Sequence, residues 1–244
     1  IRDIEIINLE LIMADLQTVE NRRGKGERKA QTNKDKDAIR EVSVLKKLQE
    51  ALLEGKAARS VELDKEELAI VKAFSLLTLK PMIYVANMSD EEIMEPEANP
   101  YYQAVKAHAE AENNMVVPIC AKIEEELSAL DKEEKSEFLA ELGIAESGLD
   151  QIIKSAYHIL NLRTFLTAGE DECRAWTFKK GMKAPECAGV IHTDFQKGFI
   201  RAETYAFSDI DELGSEHAVK EAGRLRLEGK DYEVQDGDVL HFRF

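Results

Sequence analysis

Asn87-Met88-Ser89-Asp90 is the stretch of this sequence best equipped for chemistry. An asparagine amide donates and accepts at once, so Asn87 can hold both a neighbouring loop and a base edge. A carboxylate three residues on accepts hydrogen bonds from ring N–H groups or exocyclic amines. A second stretch, Cys120-Ala121-Lys122, likewise follows directly on an apolar run. Either stretch alone says little, because N-x-x-D occurs by chance in many chains. Together they describe two loops that could line one purine site, provided the fold brings both to the same end of one sheet.

The flanking segments supply that condition. Met82-Ile83-Tyr84-Val85-Ala86 is a continuous apolar run, expected of a strand buried on both faces of a parallel sheet. Asn99-Pro100 opens a helix, since Asn caps well and Pro suits the first helical position, and the helix is expected to reach Glu112. Met115-Val116-Val117-Pro118-Ile119 reads as the second strand. Strand, helix and strand within ~40 residues make a crossover unit and so a parallel sheet. In such sheets ligands bind beyond the carboxyl ends of the strands.

Upstream, Leu9, Ile12, Leu16 and Val19, and then Val42, Leu45, Leu48 and Leu52, recur at helical spacing. The polar stretch from Arg23 to Lys34, with Gly24 and Gly26, separates them, which predicts an antiparallel helical hairpin with a polar tip. Asp64 with Glu67 caps a third helix running to about Phe74. Downstream of the second strand, helices are expected over Ile123–Leu130, from Asp131 to Leu142, and over Leu149–Leu160. From Leu162 the texture turns to short strands at Arg163–Ala168, Cys173–Phe178, Phe199–Tyr205, Tyr232–Val234 and Val239–Phe244, with one main helix in Pro185–Thr193. The expected organisation is a helical hairpin at 1–78, an α/β region at 79–161 and an α+β module of β-grasp type at 162–244.

Composition narrows the classes. The chain has 244 residues, 44% of them hydrophobic and 33% charged, with a formal charge of −15. That charge opposes whole-surface binding to nucleic acid. No apolar run approaches a membrane span. The three dispersed cysteines, Cys120, Cys173 and Cys187, suit reduced thiols in a cytoplasmic setting, not a zinc site or a disulfide framework. Charge is uneven: from Arg22 to Lys36 seven Lys and Arg residues face Glu27 and Asp35, a local +5. Arg22, Arg23, Lys25, Arg28 and Lys29 in that stretch are candidate contacts to a phosphate backbone; a flexible solvated loop is the competing reading.

The paired loops resemble the fourth and fifth nucleotide-binding motifs of Ras-like P-loop nucleotidases, and Leu79–Asn87 resembles the corresponding strand of the YchF (Obg-like ATPase) family. The C-terminal module is closer still. Thr167-Ala168-Gly169, Arg174-Ala175-Trp176-Thr177, Ile191-His192-Thr193-Asp194-Phe195, Lys197-Gly198-Phe199-Ile200 and Tyr232-x-Val234-x-Asp236-Gly237-Asp238 resemble that family's TGS domain, in order. The opening hairpin is similar to the helical insertion of the family, so the resemblance covers the whole chain.

What the resemblance implies is an ATPase, with GTP as a competing substrate, that works as a switch linked to ribosomes, translation or stress, as a monomer. Carried over by position, Asn87, Met88, Ser89, Asp90, Cys120, Ala121 and Lys122 would bind the base. Asp90 departs from the family's N-x-x-E, and Met88 stands where a GTPase carries Lys, so the motif is a hybrid. No G-x-x-x-x-G-K-[ST] occurs in this sequence. The family carries its phosphate loop, and the Mg²⁺ ligands with it, in a part that would precede Ile1. Catalytic and metal-binding residues are therefore expected outside this chain, which alone is expected to be inactive. A non-catalytic RNA- or ribosome-binding adaptor is the alternative. Cys120 and Trp176 read as packing residues, His192 as a helix cap, and the runs Glu124–Glu126 and Asp131–Glu134 as solvated helix faces.

Overall fold

A computed structural model describes residues 1–33, 36–169 and 172–244. The chain divides into two compact units, Ile1–Ile152 and Ile153–Phe244.

The first unit opens on α1 (Arg2–Asn33) and α2 (Lys36–Leu53). Ile12 and Val19 on α1 meet Val44, Leu45, Leu48 and Leu52 on α2, with Leu16 packed alongside, in one buried cluster. The expected core position Leu9 is instead 53% exposed. Length explains this: α1 has 32 residues and α2 has 18, so the N-terminal part of α1 projects past its partner. The expected polar tip is also corrected. Helix α1 runs unbroken through Arg23, Gly24 and Gly26 to Asn33; Lys34 and Asp35 lie outside the described residues. A glycine costs a helix about 1 kcal/mol, but here tertiary packing prevails. A Cβ at Gly26 would sit 3.1 Å from Val42 Cγ2, so its absence lets the two helices approach closely.

Asp15, only 2% exposed, fastens the hairpin to the chain that follows. Its carboxylate accepts from the Leu77 N–H (2.8 Å), the Thr78 N–H (2.7 Å) and the Thr78 hydroxyl (2.6 Å). Between these points lies α3 (Lys65–Lys72), started by the Asp64/Glu67 capping box.

Next come β1 (Ile83–Asn87), α4 (Pro100–Ala111) and β2 (Met115–Ile119), with the strands parallel and in register from Ile83↔Met115 to Asn87↔Ile119. The Asn99 side chain caps α4 by accepting from the Tyr101 and Tyr102 N–H groups. The expectation that β1 is buried on both faces does not hold in this chain: Val85 is 47% exposed. Burial on both faces needs layers packed on each side, and β1 here belongs to a sheet of two strands among the described residues. Helices α5 (Ala121–Ser128), α6 (Lys132–Glu141) and α7 (Gly148–Ile159) follow, the last running across the division between the units. Glu124 is no free member of a solvated acidic run. It accepts from the N–H groups of Gly148 (2.7 Å) and Leu149 (3.3 Å), capping α7 from a distant point in the sequence.

The second unit holds a mixed five-stranded sheet of β3 (Leu162–Ala168), β4 (Cys173–Lys179), β5 (Arg201–Ala206), β6 (Arg226–Glu228) and β7 (Asp238–Arg243), in the order β4-β3-β7-β5-β6. Strands β3 and β7 run parallel and every other pair is antiparallel, a β-grasp arrangement. Helices α8 (Ala184–Ile191) and α9 (Thr193–Gly198) share its main core, with Phe165, Phe178, Phe199 and Phe242. Cys187 lies in that core, where burial pushes its thiol up to about 12 and keeps it unreactive.

Two expectations fail in this unit. Tyr232–Val234 is not a strand; its backbone is spent on the start of α8, through Ala184 N–H to Tyr232 O (2.9 Å) and Val234 N–H to Met182 O (3.1 Å). One main helix was expected, whereas α10 (Phe207–Leu213) and α11 (Glu216–Glu221) also form and cover Tyr205 and Val239 with Val219. Among the described residues no helix is long and apolar enough to cross a membrane.

Candidate functional site

The carboxyl ends of β1 and β2 lie side by side because the strands are parallel and in register. Asn87 is the last residue of β1 and its Oδ1 accepts from the Ala121 N–H at 3.0 Å. The Met88 N–H donates to Ile119 O at 2.8 Å, extending the ladder by one bond past the strand ends. One step further out, Lys122 Nζ meets Asp90 Oδ2 at 2.7 Å. Three successive contacts thus join the two loops, each pairing a residue at the end of β1 or just beyond with one at the end of β2 or just beyond.

The pair also sets charge. The hydrogen bond and field of Lys122 hold the Asp90 carboxyl below the usual carboxylate range, and Asp90 holds the Lys122 ammonium above its ordinary value. Both directions agree, so the loop end carries a carboxylate and a cation at neutral pH. Both groups are exposed and screened by water, so the pair orients more than it stabilises.

Ser89 serves the loop itself. Glu92 Oε2 accepts from the Ser89 hydroxyl (2.9 Å) and N–H (3.2 Å), while Glu92 Oε1 accepts from Asn99 Nδ2 (2.8 Å). These bonds hold the Glu92 carboxyl below its ordinary value. Glu92, Asn99, Tyr101, Tyr102 and Val105 join Asn87 and Met88 around a cavity of about 290 Å³, whose lining does not include Ser89, Asp90, Cys120, Ala121 or Lys122. Glu92 was not foreseen, although Ser89-x-x-Glu92 is itself a helix-capping pattern. Cys120 contributes backbone only: its side chain is buried with Ile123 and Leu127. Among the described residues no group of three or more His, Cys, Asp or Glu could hold a metal ion.

The five basic candidates separate into two sets, because they sit on one helix and not in a loop. The Arg22 guanidinium lies 4.4 Å from the Phe74 ring centre and donates to Ala73 O at 3.3 Å. With Lys25, Gly26, Lys29 and Glu41 it lines a groove of about 300 Å³. Positions 22, 25, 26 and 29 share one helical face. Arg23 points elsewhere, bonded to Gln49 and to Glu27. Arg28 also has an interaction within the molecule.

His192 caps α9, its Nδ1 accepting from the Asp194 N–H at 3.2 Å. Trp176 packs on the second unit's core with its Nε1–H on Thr167 Oγ1 at 2.9 Å.

The family YchF-GTPase_C, described as "Protein of unknown function (DUF933)", matches residues 162–244. Over the whole chain, the sequence is 56% identical to the "Ribosome-binding ATPase YchF" of Bacillus subtilis and, over 99% of it, 47% identical to the protein of the same name from Escherichia coli O157:H7; it spans 66% of the length of each. Among solved structures, the Schizosaccharomyces pombe YchF GTPase superposes with a TM-score of 0.86 at 32% identity, over 99% of this chain and 65% of that one. A GTP-binding protein from Pyrococcus horikoshii shares the fold, with a TM-score of 0.60 at 19% identity over 99% of this chain and 71% of its own. With near-complete coverage of this sequence at such identity, the chain belongs to the YchF family.

Proposed function

We propose that this chain is the base-recognising part of an ATPase, with GTP as a competing substrate, that uses nucleotide state as a switch on the ribosome. The observation that carries the reading is the contact of Asn87 Oδ1 with the Ala121 N–H, which brings both loops to one place at the carboxyl end of the sheet. Ala121 and Lys122 then border the base from one side, Asn87, Met88, Ser89 and Asp90 from the other.

Asp90, kept ionised by Lys122, accepts from the N1–H and 2-amino groups of guanine or from the 6-amino group of adenine. The family resemblance and the names of the relatives favour ATP. Phosphoryl transfer needs a backbone cradle, a lysine and Mg²⁺; this sequence holds no motif for them, so the 244-residue chain alone binds the base and does not hydrolyse.

The anionic partner would be ribosomal RNA, met by Arg22, Lys25 and Lys29 along the groove that α1 shares with Glu41 of α2. Such a protein works in the cytoplasm, as a monomer.

Fluorescent ATP and GTP analogues titrated into the full-length protein test the base site. Asn87→Ala should weaken both about tenfold, the scale of one or two lost hydrogen bonds. Unchanged affinity for both analogues would remove the base site. Ribosome pelleting tests the partner: Glu at 22, 25 and 29 should weaken association and flatten its salt dependence. Ribosome binding that is indifferent to nucleotide would favour the non-catalytic adaptor.

A further inference from the structure

The two edges of the five-stranded sheet are finished differently. At one edge, β6 is three residues long and its Arg226 is paired with Glu228 and Asp238. At the other, β4 is seven residues long, in unbroken register with β3, contains no proline, and is exposed except at Trp176 and Phe178. Long flat edges offer a row of backbone donors and acceptors and are normally shortened, bulged or covered.

Arg174 on this edge is the second unusual feature. Its guanidinium lies 4.2 Å from the Trp176 ring centre, and the indole is itself fixed by the Thr167 hydroxyl and by near-parallel packing on buried Phe165. The chain carries 48 acidic residues against 33 basic ones, yet no carboxylate pairs with Arg174 among the described residues. Of the other five arginines of the second unit, Arg163, Arg224, Arg226 and Arg243 have a carboxylate within 4 Å; Arg201 has no such pair among the described residues, but it lies on the inner strand β5 and on no aromatic ring. A guanidinium held by an aromatic face keeps its N–H fork free for a planar anion.

We propose that β4 is a docking strand for an extended acidic peptide, which adds to the sheet edge and places a carboxylate on the Arg174 guanidinium. Backbone pairing would supply affinity and the stacked arginine the preference for acid. A nucleic-acid strand fits less well on two counts. Arg174 and Lys179, five residues apart on a strand, face opposite sides of the sheet and give no continuous cationic track. The Trp176 ring, between Arg174 and Phe165, leaves no open face for a base. This inference does not depend on the nucleotide site.

The probe is a fluorescein-labelled Val-Glu-Val-Glu-Val-Glu-Val peptide, titrated into the 244-residue chain by anisotropy and by amide NMR shifts. Shifts should concentrate on residues 173–179. Arg174→Gln, checked for an unchanged fold by circular dichroism, should weaken binding about tenfold, the scale of one charge-assisted pair. A Val-Gln peptide should lose the same factor on the wild type and little more on the variant. N-methylating one alternate set of peptide amides should abolish binding while the other set is tolerated. No saturable binding up to about 1 mM, the weak end of specific affinities, overturns the proposal, as do shifts confined to other surfaces. Tighter binding of an oligouridylate at β4 overturns it in favour of a nucleic-acid contact.

Discussion

The sheets of the two units solve the same problem with different materials. In the second unit, five strands close over Phe165, whose ring meets those of Trp176, Phe178 and Phe242 at centroid separations of 6.5, 5.8 and 5.9 Å. In the first, the two strands among the described residues carry the candidate site, Val85 is half exposed in this chain, and the loop ends are joined by single polar contacts. Dense aromatic packing has one low-energy arrangement and resists change. A few exposed hydrogen bonds and one ion pair are worth little individually and can be exchanged for bonds to a ligand. Within this chain, the contacts between the loops after β1 and β2 are few, polar and open to water, whereas the aromatic sheet is held by interlocked buried rings.

Four experiments break or sharpen that contrast. The largest effect is expected from Phe165→Ala, which empties a fully buried ring site and should cost the second unit about 3–5 kcal/mol. Amide hydrogen exchange should then accelerate throughout 162–244 and stay unchanged around Asn87; a matching loss at Asn87 would mean the two regions are not energetically distinct. Next, Asp15→Ala strands the Leu77 and Thr78 N–H groups and the Thr78 hydroxyl, at a cost of roughly 3 kcal/mol to the first unit. Urea unfolding followed at the hairpin would measure it.

Gly148→Ala is smaller but closer to the site. The added methyl would lie 2.6 Å from Ile119 Cγ2 and 3.0 Å from Glu124 Oε1, at the end of β2. A cost of about 1–2 kcal/mol is expected, together with NMR shifts at Met88, whose N–H is bonded to Ile119 O. Undisturbed Met88 would mean the strand end absorbs the strain without passing it to the loop.

The smallest effect on stability, and the sharpest test of responsiveness, is Lys122→Gln. The pair is exposed, so the melting temperature should hardly move. Its signature is in titration. In the native chain Asp90 is held below the ordinary carboxylate value, so its contribution is complete above that value and is lost as pH falls through the depressed one. In the variant the Asp90 carboxyl should titrate higher, by NMR of its side-chain carbon. An unshifted titration would show that the pair does not govern the charge of the loop.

Much of this could be read in the chain beforehand. The Asn99-Pro100 start of α4, the Asp64/Glu67 and Asp131/Glu134 boxes, and the pairing of the two apolar runs are local signals, set by capping geometry and side-chain period. Local signals for α10 and α11 are also present, in the Ser215 cap, in Gly214 at the end of α10 and in the apolar residues Ile210, Leu213 and Val219. The joined loops at Asn87 and Ala121 followed from strand direction alone. Glu92, by contrast, reaches the cavity beside Asn87 and Met88 through its bonds to Ser89 and Asn99.

The sequence by itself determined element type and order, since periodicity, caps and turn residues act over a few neighbouring positions. It determined as well that an amide and a carboxylate would stand at the end of a strand. Only the tertiary structure decided that Arg22 to Lys29 would be helix and not loop, because the contact of Gly26 with Val42 is invisible along the chain. The same holds for which arginines are tied down and which stand free. Phe74, Gln49 and Trp176 select among them. Side-chain partnership is settled by packing between segments distant in sequence, and no local pattern encodes it.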